Sequence, residues 1–218
     1  MPKRALSSLF ATAVAAAALT TSAGALAQTR TTDEQNAVIQ SYVDTEEGCL
    51  IVDLVITSVK QAPPGGQVGF SSLVIYRDAI QDCATHLAAG GGFLVGIASG
   101  NTNQNPMEFT LDQRLRSGTL KMTMSVLFWA TSNEHPVVID LVFSGIEGTL
   151  TPERRLDTFP GNATGPVIVH NRGYRRDTTA SGSVSDGATE YFANPYAVKG
   201  FLRVYHTQAS GPGPRMLH

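Results

Sequence analysis

The residue patterns that usually mark a catalytic or metal-binding site are absent from this sequence. No H-x-H, H-E-x-x-H or C-x-x-C group occurs, and the G-x-S-x-G motif of serine hydrolases is also missing. The 5 histidines are scattered along the chain, at His86, His135, His170, His206 and His218. The sequence therefore predicts no metal site, no cofactor and no catalytic residue.

Long apolar runs and a strong charge imbalance are lacking as well. Beyond the N-terminal region, no segment approaches the ~20 apolar residues of a membrane helix. The chain has 16 Lys and Arg residues against 18 Asp and Glu residues, a formal net charge of −2. We therefore expect a mature chain without a transmembrane segment and with neither nucleic acid nor an anionic membrane as partner.

The N-terminal region has the pattern of a secretory signal peptide. Lys3 and Arg4 precede an apolar run at 9–19, and residues 25–27 form an A-x-A cleavage site. We predict that residues 1–27 are a signal peptide cut after Ala27, which makes the protein secreted or periplasmic. The remaining chain of about 190 residues has a normal length for one domain.

The chain contains only 2 cysteines, Cys49 and Cys83, and both lie in the predicted exported part. In an oxidising compartment an even pair is expected to be bridged. A redox-active pair would need the C-x-x-C spacing that is missing here. The sequence predicts a structural disulfide between Cys49 and Cys83.

Alternation of apolar and polar residues is clearest at 119–150. Leu120, Met122, Met124, Val126 and Phe128 share one face of a first strand. Val137, Ile139, Leu141 and Phe143 share one face of a second strand. A period of two over this length is typical of half-buried strands, and the polar residues at 132–136 between them have turn chemistry. We predict a long antiparallel hairpin at the centre of the domain.

Other short β-prone segments recur along the chain and are separated by Gly- and Pro-rich turns. They cover 49–56, 68–76, 93–98, 107–111, 166–170, 178–184 and 196–205. This pattern predicts an all-β fold, a single-domain antiparallel β-sandwich of the immunoglobulin-like or jelly-roll-like kind. We place the sandwich at 48–207, a flexible lead-in at 28–47 and a disordered tail at 208–218. The residues at 151–165 show no period and are predicted to be a long connection, which is either functional or mobile.

Trp129 is the only tryptophan, and alternation places it on the face opposite to the hairpin's apolar face. Leu127, Val138 and Val142 are predicted to share that face, so it could bind a ligand or partner. Because those aliphatic neighbours argue for cover, we expect a loop or a second sheet to lie over it.

A group of arginines flanks the predicted 151–165 connection and could gather at one end of the fold: Arg154, Arg155, Arg172, Arg175 and Arg176. Guanidinium groups bind the sulfate, phosphate or carboxylate groups of an acidic glycan. The alternative is a solvated set balanced by the interleaved Glu153, Asp157 and Asp177, which their spacing favours.

Four segments together resemble a group of secreted bacterial all-β proteins that have no established activity. They are GCLIVDLVITSV, FTLDQRLRSGTLKMTMSV, VVIDLVFSGIEGTL and RRDTTASGSVSDG. This chain has Phe143 where the group's pattern carries Trp. The resemblance implies export and an all-β fold, and it implies no catalytic or binding residue.

From these observations we interpret the chain as a non-catalytic binding module whose partner is an extracellular glycan, an envelope component or a protein. The step from fold class to role is analogy. Two alternatives stay open: an extracellular hydrolase or lyase with its site near 151–176, and a structural envelope protein. An enzyme would show a pocket with convergent titratable groups, and a binding module only an aromatic or basic patch.

Overall fold

The computed structural model describes residues 29–61, 67–78, 83, 93–159, 166–192 and 197–211. All its named elements are strands: β1 Arg30–Thr45, β2 Gly48–Gln61, β3 Gln67–Asp78, β4 Phe93–Asn101, β5 Met107–Leu111, β6 Ser117–Phe128, β7 Asn133–Gly145, β8 Thr151–Phe159, β9 Val167–Ser185 and β10 Ala197–Ser210. Within these ranges no helix has the length and apolar character needed to cross a membrane. The predicted signal peptide at 1–27 lies outside the described residues.

The strands form one sheet in the order β10-β1-β2-β3-β4-β6-β7-β9-β8, with β5 paired to β6. β10 also pairs with β9, so the sequence of neighbours from β10 to β9 closes on itself. The predicted all-β antiparallel fold class is confirmed. A sandwich-like arrangement is consistent with it, although the strands belong to one large, ring-like sheet.

The chain divides into two compact units. The larger comprises Thr31–Arg155 and Asn171–Thr207, and it contains the core and the site described below. Of the smaller unit, the structure describes 29–30, 156–159, 166–170 and 208–211. In that unit Leu156 and Phe159 are exposed and Val169 is buried.

The predicted central hairpin is present as β6 and β7, which pair from Ser117↔Ser144 to Phe128↔Asn133. Burial alternates along the whole of β6, and along β7 from Pro136 to Ser144. All nine predicted inward residues are buried in the main core: Leu120, Met122, Met124, Val126, Phe128, Val137, Ile139, Leu141 and Phe143. The turn lies at 129–132, slightly earlier than predicted, because the polar residues from Asn133 onward already belong to β7.

The segment predicted to be a flexible lead-in, 28–47, instead contributes β1, which pairs with β2 from Thr32↔Gln61 to Thr45↔Gly48. Ala37, Ile39 and Val43 lie at one parity of this strand, and all three enter the core. Because most of the other residues of the segment are polar, the sequence alone indicates a solvated lead-in, and the strand is recognised only from its pairing with β2.

The predicted connection at 151–165 is also partly a strand, because Thr151–Phe159 forms β8. None of its residues is fully buried, so it carries no period-two signal. The two separate strands predicted at 166–170 and 178–184 are parts of one 19-residue strand, β9. In the tail predicted to be disordered, 208–210 end β10, and 212–218 lie outside the described residues.

The predicted disulfide joins Cys49 and Cys83 across a sequence separation of 34. Both sulfurs lie in a second apolar cluster with Tyr42, Ile51 and the half-buried Tyr76. A bridged pair fits a protein of an oxidising compartment such as the periplasm or the extracellular space.

Replacing Cys49 and Cys83 together by Ser should lower the free energy of unfolding by about 3–4 kcal/mol, because the unfolded chain gains the entropy of the opened loop. Urea titration measures this loss. Dithiothreitol should lower the stability of the wild type by the same amount and leave that of the double variant unchanged. A double variant as stable as the oxidised wild type would contradict this role.

Substitutions at two glycines with positive φ would distinguish the cost of backbone strain from the cost of a steric clash. Gly182 in β9 has a φ of +129°, and a Cβ there would overlap the carbonyl oxygen of Asp140 in β7. Gly187 has a φ of +88°, but nothing lies within 4 Å of a Cβ placed on it. Gly187→Ala should therefore cost only the left-handed backbone strain, about 1–2 kcal/mol.

Gly182→Ala should cost clearly more than Gly187→Ala, because β7 and β9 would have to separate locally. Thermal and urea unfolding of the two variants measure both losses. Equal destabilisation would show that the approach of β9 to the Asp140 carbonyl does not constrain residue 182.

Candidate functional site

A cleft of about 890 Å³ opens in the larger unit, between the ends of several strands. Its volume lies within the roughly 300–1,000 Å³ typical of ligand sites. Most of the polar side chains that line the cleft come from β1, β2, β8, β9 and β10. They are Asp33, Glu34, Gln35, Ser58, Lys60, Glu153, Arg154, Arg172, Tyr174, Tyr205 and His206. Phe109 and Leu111 of β5 contribute an apolar wall.

The cleft begins where the inward-facing positions of the strands change from apolar to polar. On β2 the buried Leu54 and Ile56 are followed at the same parity by Ser58 and then Lys60. On β10 the buried Leu202 is followed by Val204 and His206. Since alternate residues of a strand point to the same face, these polar side chains continue the surface that forms the core.

Lys60, Asp33 and His206 lie side by side on three neighbouring strands. Asp33 and Lys60 are register partners in β1 and β2, and His206 Nδ1 of β10 is 2.8 Å from Asp33 Oδ1. On the next strand, Asn171 of β9 accepts a hydrogen bond from the Thr207 hydroxyl at 2.6 Å. Arg172 follows Asn171 in β9, so it lies close to the same row of residues across the strands.

The carboxylates that line the cleft are engaged by neighbouring donors. Asp33 contacts His206, and Glu34 accepts a hydrogen bond from Asn36 Nδ2 at 2.7 Å. Glu153 accepts a hydrogen bond from Arg203 Nη2 at 3.4 Å. Arg203 Nε also lies 2.9 Å from Glu153 Oε2, as an ion pair without hydrogen-bond geometry.

Glu153 holds a second donor, because Tyr205 donates its hydroxyl hydrogen to Glu153 Oε2 at 2.5 Å. Burial, reinforced by this hydrogen bond to the carboxylate, raises the pKa of Tyr205 to about 12. Gly173 of β9 permits this contact, because a Cβ there would lie 2.6 Å from the Tyr205 ring. The missing side chain lets a residue of β10 reach across β9 to β8.

The cations that line the cleft have no such partners. In the part of the chain that the structure describes, no carboxylate lies within ion-pair distance of Lys60, Arg154 or Arg172. All three residues are exposed. The cleft therefore combines engaged acids with available bases, which favours a negatively charged ligand.

Of the five predicted arginines, the structure brings Arg154 and Arg172 to the same cleft. Arg175 faces the other side of β9, with its guanidinium carbon 4.2 Å from the Phe201 ring centroid and an Asp177 oxygen at 3.7 Å. Arg176 packs against Gly145. Arg155 does not line the cleft, because it neighbours Arg154 along an extended strand.

Trp129 lies away from the cleft, directly after the opposite end of β6. Its side chain is 56% exposed, with Val138 at 54% and Val142 at 47%. The expected cover over this face is therefore absent from the described structure. The 12 residues of β6 span roughly 40 Å, so Trp129 and the arginines cannot act on one small ligand.

Sequence reasoning missed Lys60, Asp33, Tyr174 and His206. Asp33 and His206 are 173 residues apart in the sequence, and only the pairing of β10 with β1 brings them together. Within the described residues no group of three or more His, Cys, Asp or Glu side chains could hold a metal ion. The change from apolar to polar at one parity, as at Ile56, Ser58 and Lys60, is the local signal that could have located the cleft.

Asp53 is a partly buried carboxyl group outside the cleft, on the outer face of β2. It accepts a hydrogen bond from Gln40 Nε2 at 2.7 Å, and Tyr42 donates to Gln40 Oε1. Burial raises the pKa of Asp53, partly opposed by the Gln40 hydrogen bond. Burial and the nearby Asp53 charge also raise the pKa of Tyr42 to about 12.

Asp53→Asn should raise the free energy of unfolding at neutral pH, and its advantage should shrink as the pH falls. The raised pKa means that the folded state binds a proton more tightly than the unfolded chain, so the wild type loses stability as pH rises from the unfolded value, about 3.9, through the folded value. Asn keeps an oxygen acceptor for Gln40. Urea titrations of both proteins at pH 4 and 7 measure this, and a pH-independent difference would contradict it.

Comparison with known proteins adds little to this geometry. No protein-family model matches the sequence, and no curated protein is significantly similar to it. One similar solved structure is the enduracididine biosynthesis enzyme MppR complexed with pyruvate, at 10% identity, 88% coverage of this chain, 91% of that chain and a TM-score of 0.32.

Another is a protein assigned as AttH from Nitrosomonas europaea, at 7% identity, 83% coverage of this chain, 52% of that chain and a TM-score of 0.28. At these identities and TM-scores neither structure carries an argument about fold or activity.

Proposed function

We propose that the chain is a secreted or periplasmic binding module, without catalytic activity, that holds an anionic ligand in this cleft. The observation that carries the proposal is the pairing pattern: the cleft carboxylates have donors, and Lys60, Arg154 and Arg172 have no carboxylate partner among the described residues. The ligand supplies the missing negative charge.

Physical chemistry supports this use of the three cations. A guanidinium group binds carboxylate, sulfate or phosphate oxygens through two parallel hydrogen bonds, and such charge-assisted bonds are stronger than neutral ones. Exposed cations lose little when the ligand is absent, because water solvates them. A partly enclosed cleft then strengthens their attraction once a ligand displaces that water.

Export supports the kind of partner. The signal-peptide pattern at 1–27, with cleavage after Ala27, and the bridged Cys49–Cys83 pair both fit a protein that works outside the cytosol. The partner is accordingly an acidic glycan, an anionic envelope component or an acidic protein surface. A purely structural envelope protein has no need of unpaired cations in a cleft.

One observation favours a second candidate, an extracellular hydrolase or lyase that uses the same cleft. Asp33 holds His206 through Nδ1 at 2.8 Å, which is how a carboxylate orients a histidine base in many hydrolases and leaves Nε2 for a proton transfer. A binding module is the better interpretation, because no contact links a nucleophile to this histidine in the described structure.

The test measures binding of the mature, oxidised protein to polyuronate, a sulfated polysaccharide, polyphosphate and a neutral polysaccharide. We expect at least one polyanion to bind, and the double variant Arg154→Ala with Arg172→Ala to weaken it by about tenfold or more, since hydrogen bonds to charged groups contribute about 1.5–3 kcal/mol each. Added salt should weaken binding to the wild type more steeply than to the variant.

Arg175→Ala is the matched control, because Arg175 comes from the same strand but packs on Phe201 outside the cleft. Its affinity should equal that of the wild type. Failure of every polyanion to bind, or equal losses in the control and in the double variant, would overturn the proposal. Cleavage of a bound polymer that His206→Ala abolishes would establish the second candidate instead.

A further inference from the structure

Tyr174 gives the cleft an aromatic surface that no other group in the described structure occupies. It lines the cleft and is 48% exposed. Among the described residues, its ring contacts no other aromatic ring and no cation, and its hydroxyl has no hydrogen-bond partner. Tyr42, Tyr191 and Tyr205 instead donate their hydroxyl hydrogens to neighbouring side chains.

Tyr174 and Arg172 are two residues apart on β9 and therefore point to the same face. The cleft thus offers an open ring beside an unpaired guanidinium group. A ligand that satisfies both has an apolar face that can stack on the tyrosine and an anionic group at its edge. A pyranose ring with a carboxylate substituent has this combination.

The three cations are spread across the sheet and do not converge on one point. Arg154, Arg172 and Lys60 lie on β8, β9 and β2, within the run of neighbours β8-β9-β10-β1-β2. Four strand spacings of about 4.8 Å separate its outer strands, roughly 19 Å in all. No single phosphate or sulfate group can contact all three, whereas a chain with separated charges can.

The surface between the cations favours a sugar chain over a dense polyanion. Asp33 on β1 lies between Lys60 and Arg172 and would repel a ligand that is charged along its whole length. A chain whose carboxylates are separated by neutral parts of sugar rings avoids this repulsion. The Gln35 amide, which has no hydrogen-bond partner in the described part of the chain, can bond sugar hydroxyls.

We propose that the ligand is a uronic acid-containing polysaccharide that lies across β8, β9, β10, β1 and β2. One sugar ring stacks on Tyr174, and its carboxylate is bound by Arg172. Further carboxylates along the chain reach Arg154 on one side and Lys60 on the other. This inference rests on the proposed anion-binding function and adds the ligand's chemical class and direction.

The experiment is isothermal titration of the mature protein with galacturonic acid, a galacturonate hexamer, a sulfated glucose hexamer that contains no uronic acid, and polyphosphate. The uronate hexamer should bind more tightly than polyphosphate, and at least tenfold more tightly than the monomer, because only the longer chain reaches all three cations. Tyr174→Ala should weaken hexamer binding by about 3- to 10-fold, and Tyr174→Phe should preserve it.

Tyr174→Ala should not affect the free energy of unfolding, because the side chain is half-exposed and without partners. Tight polyphosphate binding that ignores Tyr174→Ala would overturn the uronate proposal and leave anion binding intact. Equal affinity for monomer and hexamer would overturn the lengthwise arrangement. Failure of all four probes would contradict anion binding itself. Binding of the sulfated glucose hexamer that exceeds galacturonate binding at equal length would replace carboxylate by sulfate and overturn the uronate assignment.

Discussion

The pairing of β10 with both β1 and β9 is the constraint on which the rest of the structure depends. It removes two sheet edges and brings the last described strand beside the first. Close backbone approach accompanies it: a Cβ on Gly200 would overlap the carbonyl of Val38, and a Cβ on Gly173 would overlap that of Val204. Two glycines thus permit the contact that closes the ring and creates the cleft.

The closure of the sheet also explains why residues from so many strands pack into one core. A ring-like sheet has a single inner surface, so alternate residues of β1, β2, β3, β6, β7 and β10 all contribute to one cluster. The edges that remain are protected differently. β8 pairs only with β9 and has Pro152 together with several charged residues, and both features discourage pairing with another chain.

The sequence predicts those parts of the fold that carry a complete local signal. Alternation of apolar residues between Leu120 and Phe143 predicts the hairpin and which of its faces is buried. The even number of cysteines predicts the disulfide. Apolar alternation does not predict β1 or β8, for opposite reasons. β1 has too few apolar residues to be noticed, although all of them except the half-buried Val38 are buried, and β8 has no buried face at all.

The site is predicted less well than the fold, because it depends on contacts between distant strands. Composition alone drew attention to the arginines of β8 and β9, but strand alternation separates Arg154 from Arg155 and Arg172 from Arg175. Lys60 and His206 carry no motif. Their common position in the cleft follows only when β2, β1 and β10 are known to be neighbours, since the residues are far apart in the sequence.

One local rule connects core and site in this molecule. At a single parity along β2, side chains change from Leu54 and Ile56 to Ser58 and Lys60, and along β10 from Leu202 to His206. An unpaired charge buried among the apolar side chains inside the ring would lose its hydration, which carries a large cost in free energy. Water has to enter where the apolar positions stop. The strands that support the core therefore end in a polar surface, which is where the proposed ligand would bind.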